Sequence, residues 1–482
     1  MKTLQAILKN IKISHSSGVL DQSIKGLAID SRQVKEGFLF IALKGTQVDG
    51  HDFIPKAIEA GATAILHTDE IIPQEGISYV QVENTTAVCG LVASNYYDQP
   101  SQKMKLVGVT GTNGKTTIAT LLYRLFKQLG YKTGLLSTVA NYVDDKMQAA
   151  THTTPDAIAI NALMAQMVEA GCDYCFMEVS SHAIDQQRIE GLDFDGGIFT
   201  NLTRDHLDYH KTFEAYRNVK KRFFDGLKKE AFALTNQDDK NGTYMLQNTA
   251  ARKRTYTTRS MADYRVKVLD DNFEGMLLKF NQQEAFMQFV GAFNASNLGA
   301  VYGAALELGA QKDEVLVNMS TLHPVDGRFE TIRGAGITAI VDYAHTHDAL
   351  KNVLDTINEI RQGAGRLITV VGAGGNRDKG KRPMMASEAA KASEQVILTS
   401  DNPRYEDPES IIQDMMEGID AAQQRKTLCI TNRKDAIKTA LTLAQSGDVV
   451  LIAGKGHESY QEVKGVRHHF DDREVVREFI NN

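Results

Sequence analysis

Leu106-Val107-Gly108-Val109-Thr110-Gly111-Thr112-Asn113-Gly114-Lys115-Thr116-Thr117 is the stretch that decides the fold. It opens as a short β-branched run, and the glycine-rich turn leads on to Ile118, Leu121, Leu122, Leu125, Phe126 and Leu129. Those positions recur at the helical period and make one apolar face. Gly130 stands where a C-terminal cap belongs. Strand, glycine loop and amphipathic helix form the opening unit of a nucleotide-binding α/β domain. In such a loop backbone N–H groups turn toward phosphate oxygens and the helix N-terminus adds partial positive charge. Lys115 then reaches the outer phosphates and Thr116 can ligate Mg²⁺. The strict P-loop pattern is broken once, because Val109 occupies the place of its first glycine.

Further along, Glu178 closes the apolar run Tyr174-Cys175-Phe176-Met177-Glu178-Val179 and precedes Ser180-Ser181-His182. A carboxylate at a strand end near a phosphate loop is placed to hold Mg²⁺ or a metal-bound water. The segment Asn201–His210 crowds charged and imidazole side chains after another apolar run, which suits a metal and phosphate site. Cys172 and Cys175 read as structural, since residues three apart on a strand face opposite sides and no second pair completes a zinc site. His468-His469 lacks a metal-ligand spacing. Lys220 and Lys221, read from the residues alone, make a solvated basic face.

Working outward, residues up to about 100 alternate short strands with a helical pattern at Ile54, Ala57 and Ile58, as in a small α/β domain. Tyr97–Lys103 reads as a polar linker. From about Gly334 the chain repeats the α/β texture, and four apolar runs each end in a chemically loaded loop. These are Asp342-Tyr343-Ala344-His345, Gly372–Asp378, Asp401-Asn402-Pro403-Arg404 and Gly454-Lys455-Gly456-His457-Glu458. Ligands of open parallel sheets bind beyond the carboxyl ends of the strands. Arg377 and Arg404 offer planar forks for carboxylates, and Glu458 could receive an ammonium. Those residues describe either a pocket for a free amino acid or salt bridges between loops. Gly372-Ala373-Gly374-Gly375 lacks the full dinucleotide fingerprint.

Composition sets the outer limits. With 482 residues the prior is three domains, and 42% hydrophobic with 24% charged residues is too apolar for disorder. A net charge of −6, from 54 basic and 60 acidic residues, argues against nucleic acid as the main partner. No apolar run approaches the roughly 20 residues of a membrane span, and Lys9, Asn10 and Lys12 interrupt any signal-peptide core. Four cysteines exclude a disulfide scaffold. The expectation is a soluble cytoplasmic protein.

The ordered series of motifs resembles the Mur ligases, and within them the branch that adds the third residue of the peptidoglycan peptide. The series runs through Asp30-Ser31-Arg32, Asp49–Ile54, the Gly111–Thr117 loop, Thr153-Thr154-Pro155, Glu178–His182 and Asn201–Asp208. It continues through Asp326-Gly327-Arg328, Asp342–His345, Asp401–Arg404 and Gly454–Glu458. The resemblance implies three α/β domains: a small uridine-binding domain (1–102), a central P-loop ATPase-like domain (103–332) and a Rossmann-like C-terminal domain (333–482). It implies an ATP- and Mg²⁺-dependent amide ligase of cell-wall synthesis. ATP would phosphorylate the free carboxylate of UDP-N-acetylmuramoyl-L-alanyl-D-glutamate, and the amine of meso-2,6-diaminopimelate would displace phosphate from the acyl phosphate. L-Lysine as the added amino acid, and a silent nucleotide-binding scaffold, are the alternatives. The Asp401–Arg404 loop and the first domain argue against a folylpolyglutamate synthetase or a D-glutamate-adding enzyme.

Residue by residue, the family pattern implies that Ser31, Thr46, Gln47 and Val48 contact the uridine end. Thr153, Thr154, Ser180, Gln186 and Arg188 would hold the muramoyl dipeptide. Asn297, Arg328, Asp342 and His345 would join Gly111–Thr117 around ATP. Thr116, Glu178 and His206 would ligate magnesium, with Lys220, or Lys221 beside it, carbamylated by CO₂ into a further anionic ligand. Lys115, Glu178, His206 and Lys220 would form the catalytic set. Arg377, Asp401, Asn402, Pro403, Arg404, Gly454 and Glu458 would bind the amino acid, with Arg404 on its distal carboxylate. The chain departs from the pattern at His152, where some relatives carry Asn, and at His347, which replaces a common proline. The resemblance implies nothing about oligomeric state.

Overall fold

The computed structural model describes residues 2–45, 48–150 and 152–480. Three large sheets follow one another along the chain. The first orders its strands Ile13–Ser17, Ser78–Val82, Ala62–His67, Phe38–Ile41 and Gly26–Ala28, with only the Ile13–Ser17 edge antiparallel. The last runs Glu330–Gly334, Ile337–Asp342, Val449–Ala453, Leu367–Ala373, Gln395–Ser400 and Thr427–Cys429. It is parallel apart from Glu330–Gly334. Its inner strands Leu367–Ala373 and Val449–Ala453 are buried at every residue, as expected of parallel strands covered on both faces.

The central sheet places the first strand of its domain, Lys105–Thr110, between Tyr174–Glu178 and Gly196–Phe199. The chain leaves that strand to one side, through Thr133–Leu136, and returns on the other. This reversal opens a crevice at the carboxyl ends. In register, Val109 faces Glu178 on one neighbour and Ile198 on the other. Helix Lys115–Gln128 follows, and its Ile118, Leu121, Leu122, Leu125 and Phe126 lie fully buried over the sheet. Gly130, at φ +93°, closes it: Tyr131 N–H reaches the Phe126 carbonyl at 3.0 Å.

The missing glycine of the phosphate loop has a simple cause. Val109 is a fully buried strand residue, and the strand runs on to Thr110. The turn starts only at Gly111, where a Cβ would lie 1.9 Å from Thr200 Oγ1. Close approach therefore demands glycine at 111, and 109 is free to carry a core side chain.

The supposed linker is a packed joint. After helix Thr85–Tyr96, residues Pro100–Gln102 form a 3₁₀ turn with Pro100 and Ser101 buried, and Ser101 Oγ accepts from Asp193 N–H at 3.0 Å. Ala157, from the central domain, shares an apolar cluster with Val92 and Ala93 of that helix. Within the last domain His347 is the first residue of helix His347–Arg361, a position suited to proline. Instead, its Nε2 lies 3.2 Å from Glu388 on helix Lys381–Ala392.

Candidate active site

The phosphate loop is held from the neighbouring strand end. Thr112 N–H donates to the Asn201 carbonyl (2.8 Å) and Asn113 N–H to Asn201 Oδ1 (3.0 Å), while Thr200 Oγ1 donates to the Asn113 carbonyl (2.5 Å). Lys115 folds over the loop and donates to the Gly111 and Thr112 carbonyls at 3.0 and 2.8 Å. Burial pulls its ammonium pKa down, against the charges of Glu178 and Asp205. Asn297, on helix Ala292–Glu307, stands so close that a Cβ on Gly114 would meet its Oδ1 at 2.5 Å. Arg328 Nη2 reaches Thr116 Oγ1 at 3.3 Å, and its guanidinium lies 4.5 Å over the Tyr343 ring. Asp342 accepts from Phe329 N–H (2.6 Å) and Ala344 N–H (2.7 Å), and its burial raises its pKa. The junction leading into the last domain is thus tied to the first turn of the P-loop helix.

Glu178 is the pivot of the crevice. Its side chain is buried, Oε1 accepts from Thr138 N–H at 2.7 Å, and Oε2 is buried with no hydrogen-bond partner among the described residues. Its carbonyl accepts from Thr154 Oγ1 (2.8 Å), whose oxygen in turn receives Ser180 N–H (3.1 Å). Arg188 Nη1 donates to the Thr154 carbonyl (2.8 Å) and Nε to Gln186 Oε1 (3.1 Å), and Thr153 accepts from Thr138 Oγ1 (3.1 Å). Thr153, Thr154, Ser180, Gln186 and Arg188 therefore form one network beside Glu178.

His206 takes a left-handed backbone (φ +52°) at the start of the short helix Leu207–His210, 5.0 Å ring to ring from His182. Removal from water, then the charges of Lys115, His182 and Lys220, lower its imidazole pKa, with Asp205 opposing. Lys220 lies on helix Phe213–Asp225, in the middle of the stripe Tyr216, Val219, Phe223, Phe224. That spacing buries it to 1% exposure. Its ammonium donates to the Gly111 carbonyl at 2.8 Å and lies 4.8 Å from the Tyr216 ring centre. Burial, and then the nearby Lys115 charge, hold its pKa well below the usual lysine value.

In the last domain four loops meet at the strand ends. Arg404, at φ +52°, donates from Nη1 to the Gly375 carbonyl (2.7 Å), and its backbone pairs with Glu462 and Lys464 of the hairpin Tyr460–His469. A Cβ on Gly374 would have Arg404 Nη1 at 3.1 Å and Arg377 Cγ at 3.7 Å, so the Arg404 fork and the stem of Arg377 flank that glycine. Asn402 Nδ2 donates to Glu458 Oε2 at 2.7 Å, and a Cβ on Gly454 would meet Asp401 Oδ2 at 2.6 Å. Lys381, at the start of its helix, donates to the His345 carbonyl (3.0 Å) and feels Asp401, Arg377 and Asp205. It sits where the nucleotide loops and the amino-acid loops come together.

Family models for the Mur ligase family catalytic domain, the Mur ligase middle domain and the Mur ligase glutamate ligase domain match residues 23–97, 109–305 and 327–456. The UDP-N-acetylmuramoyl-L-alanyl-D-glutamate–2,6-diaminopimelate ligase of Bacteroides thetaiotaomicron is 59% identical over 482 residues, covering 99% of this chain and 100% of that protein. This chain belongs to the Mur ligase family. The same-named ligase of Bacteroides fragilis is 58% identical, with 99% of each chain covered. A solved structure of such a ligase superposes with a TM-score of 0.71 at 34% identity, over 100% of this chain and 99% of that one.

Against the residues expected for a Mur ligase, the structure gathers Gly111–Thr117, Glu178, His206, Lys220, Asn297 and Arg328 at the central crevice. Asp342, His345, Arg377, Asp401, Asn402, Pro403, Arg404, Gly454 and Glu458 lie at the carboxyl end of the last sheet. Ser31 opens a 3₁₀ turn capped by Asp30, and Val48 is exposed. Among the described residues these two share no hydrogen bond with the Thr153–Arg188 network, and Thr46 and Gln47 lie outside the described residues. The solvated basic face is corrected: Lys220 and Lys221 are both buried. Among the described residues only Lys221 has a counterion, Asp225 at 2.6 Å. Reasoning on the sequence missed Thr138 and Lys381. The Lys220 signal was present, a lysine within a helical apolar stripe; Thr138 and Lys381 act through contacts that carry no pattern.

Proposed function

We infer that this chain is an ATP-dependent, ADP-forming ligase that adds meso-2,6-diaminopimelate to UDP-N-acetylmuramoyl-L-alanyl-D-glutamate in peptidoglycan precursor synthesis. The observation that carries this reading is the end-to-end match, at 59% identity, with a ligase of that name. The crevice suits the chemistry. The loop amides and Lys115 would take the ATP phosphates, with Asn297, Arg328, Asp342 and His345 around the nucleotide. The Thr153–Arg188 network would hold the dipeptide so that its free carboxylate meets the γ-phosphoryl group. Phosphoryl transfer gives an acyl phosphate and ADP. The free amine then attacks the acyl carbon, a C–N bond forms, the C–O bond to phosphate breaks, and the amine proton is lost. Lys115 supports the charge that develops on the transferring group.

The residues present fit a magnesium ion: an unpartnered buried carboxylate oxygen on Glu178, the Thr116 hydroxyl and the His206 imidazole are hard or borderline donors close to the phosphate loop. When bound, Mg²⁺ would neutralise phosphate charge. Burial favours the neutral amine of Lys220, the form that reacts with CO₂ to give an anionic carbamate. Lys221 is committed to Asp225, so Lys220 is the better candidate. Arg404 would pair with the distal carboxylate of diaminopimelate, Arg377 with the other, and Glu458 with the distal ammonium. The test is turnover with ATP, Mg²⁺ and the UDP-linked dipeptide over a panel of amino acids. Strong preference for diaminopimelate is expected; equal turnover of L-lysine would overturn the specificity.

A further inference from the structure

The Gly454–Glu458 loop contains a second fully buried lysine, and its partners lie in the amino-acid pocket. Lys455 is 0% exposed. Gly456, at φ +51°, packs its backbone against Gly327 and Tyr343, and the turn is closed by Glu458 N–H on the Lys455 carbonyl at 2.9 Å. The Lys455 ammonium donates to Glu458 Oε2 at 3.0 Å and to Asn402 Oδ1 at 3.1 Å, and stands 5.5 Å from the Tyr460 ring centre. Asn402 Nδ2 reaches the same Oε2 at 2.7 Å, and Asn402 Oδ1 also receives Glu462 N–H at 2.9 Å. Two donors therefore converge on one oxygen of Glu458 and leave Oε1 as its other acceptor.

A buried ion pair by itself says little about function, because desolvation offsets most of its attraction. The same domain supplies a contrast. Arg433 and Asp472 pair at 2.7 Å with neither side chain exposed, which is scaffolding. Glu458 differs because it keeps 17% exposure while its lysine has none. One end of this pair is anchored in the core and the other faces the pocket.

We propose that Lys455 is a positioning residue for specificity: with Asn402 it fixes the Glu458 carboxylate so that its other oxygen receives the distal ammonium of the diamino acid. This rests on the Proposed function's placing of that ammonium at Glu458. Without Lys455 the carboxylate loses a charge-assisted bond and its fixed rotamer, and the ammonium loses a preorganised partner.

The test compares meso-diaminopimelate with 2-aminopimelate, which keeps the chain and both carboxylates but lacks the distal amine. Wild type, Lys455→Met, Glu458→Gln and the double variant are assayed as full chains with ATP, Mg²⁺ and the UDP-linked dipeptide. Lys455→Met should raise the diaminopimelate KM by about tenfold or more, the scale of a charged hydrogen bond. The KM values for ATP and 2-aminopimelate should hold. The double variant should match Glu458→Gln alone, because both changes act through one carboxylate. Lys455→Gln, with thermal unfolding, serves if the methionine variant does not fold. If Glu458→Gln narrows the preference for diaminopimelate while the Lys455 variants keep the wild-type ratio, the positioning role is overturned. Equal losses with both amino acids and ATP would reduce Lys455 to scaffolding and overturn it too. If Glu458→Gln itself keeps the ratio, the placing of the ammonium fails first, and the inference falls with it.

Discussion

Lys220 in the central domain and Lys455 in the last domain are both removed from water, and their surroundings are opposite. Around Lys455 stand a carboxylate and an amide oxygen; around Lys220 stand a carbonyl, an aromatic face and another lysine. A buried ammonium with a counterion is a fixed structural charge. One without a counterion is driven toward the neutral amine, which is the reactive form. Among the described residues the central site thus keeps a buried lysine bonded to a carbonyl rather than a carboxylate and an unpartnered Glu178 Oε2, whereas in the last domain Lys455 pairs with Glu458 and Arg433 with Asp472. On the proposed function the first would serve chemistry and the second recognition.

Breaking a fully committed pair should cost the most. Asp472→Ala leaves Arg433 buried without its carboxylate, and thermal or denaturant unfolding should show a loss of about 3–5 kcal/mol. A loss under about 1 kcal/mol would mean that the pairs of this domain are not what holds it.

The central groups should instead cost activity and spare the fold. Lys115→Ala is expected to lower kcat by about 10²-fold or more, with an unchanged unfolding temperature. Near-normal turnover of the folded variant would remove Lys115 from the phosphoryl transfer. Lys220→Ala should lose at least about tenfold in activity and regain part of it with added short carboxylic acids in the carbamate's place. Lys221→Ala, which removes the partner of Asp225 and a contact with the Tyr244 ring, should remain active. The reverse pattern would move the modified lysine to 221.

Arg404→Ala sharpens the recognition half of the comparison. Removing one charged hydrogen-bond donor is worth about ten- to a hundredfold in selectivity. Steady-state kinetics should show diaminopimelate use falling and its margin over lysine narrowing. An unchanged margin would place the discriminating cation elsewhere.

The smallest effect concerns pH. Arg382, almost fully buried, donates to Glu406 at 2.9 and 3.0 Å, and Asn376 N–H also binds that carboxylate. Together they hold the Glu406 carboxyl at about 2, below its ordinary 4.5. The folded pKa is the lower one, so the stabilisation is complete above about 4.5 and fades as pH falls toward 2. Glu406→Gln should lower the melting temperature at pH 7 and differ less from wild type at pH 3. A constant difference would exclude the linkage.

Much of the site could be read before any coordinates, for a physical reason. Phosphate loops and strand ends are local: a β-branched run, a glycine turn and a helical stripe lie within about two dozen residues, and parallel sheets present their loops at one end. Glu178, the Asn201–His210 segment and the four loops of the last domain were found in this way. Tyr97–Lys103 does connect the first two domains, but its polar residues gave no sign of the 3₁₀ turn or of the Asp193 N–H that binds Ser101 Oγ. Lys220 and Lys221 misled because charge outweighed their place on the helix.

The sequence by itself determined the α/β texture, the phosphate loop and the carboxyl-end loops, since each depends on residues close along the chain. Only the tertiary structure decided which lysine has a counterion and which oxygen of Glu178 is unpartnered among the described residues. It also decided that hairpin Tyr460–His469 braces Arg404, and that Lys455 reaches Glu458 and Asn402 together. Those facts turn on distances between residues up to a hundred or more positions apart, and burial, which sets the charge state of a lysine, is a property of the packed chain.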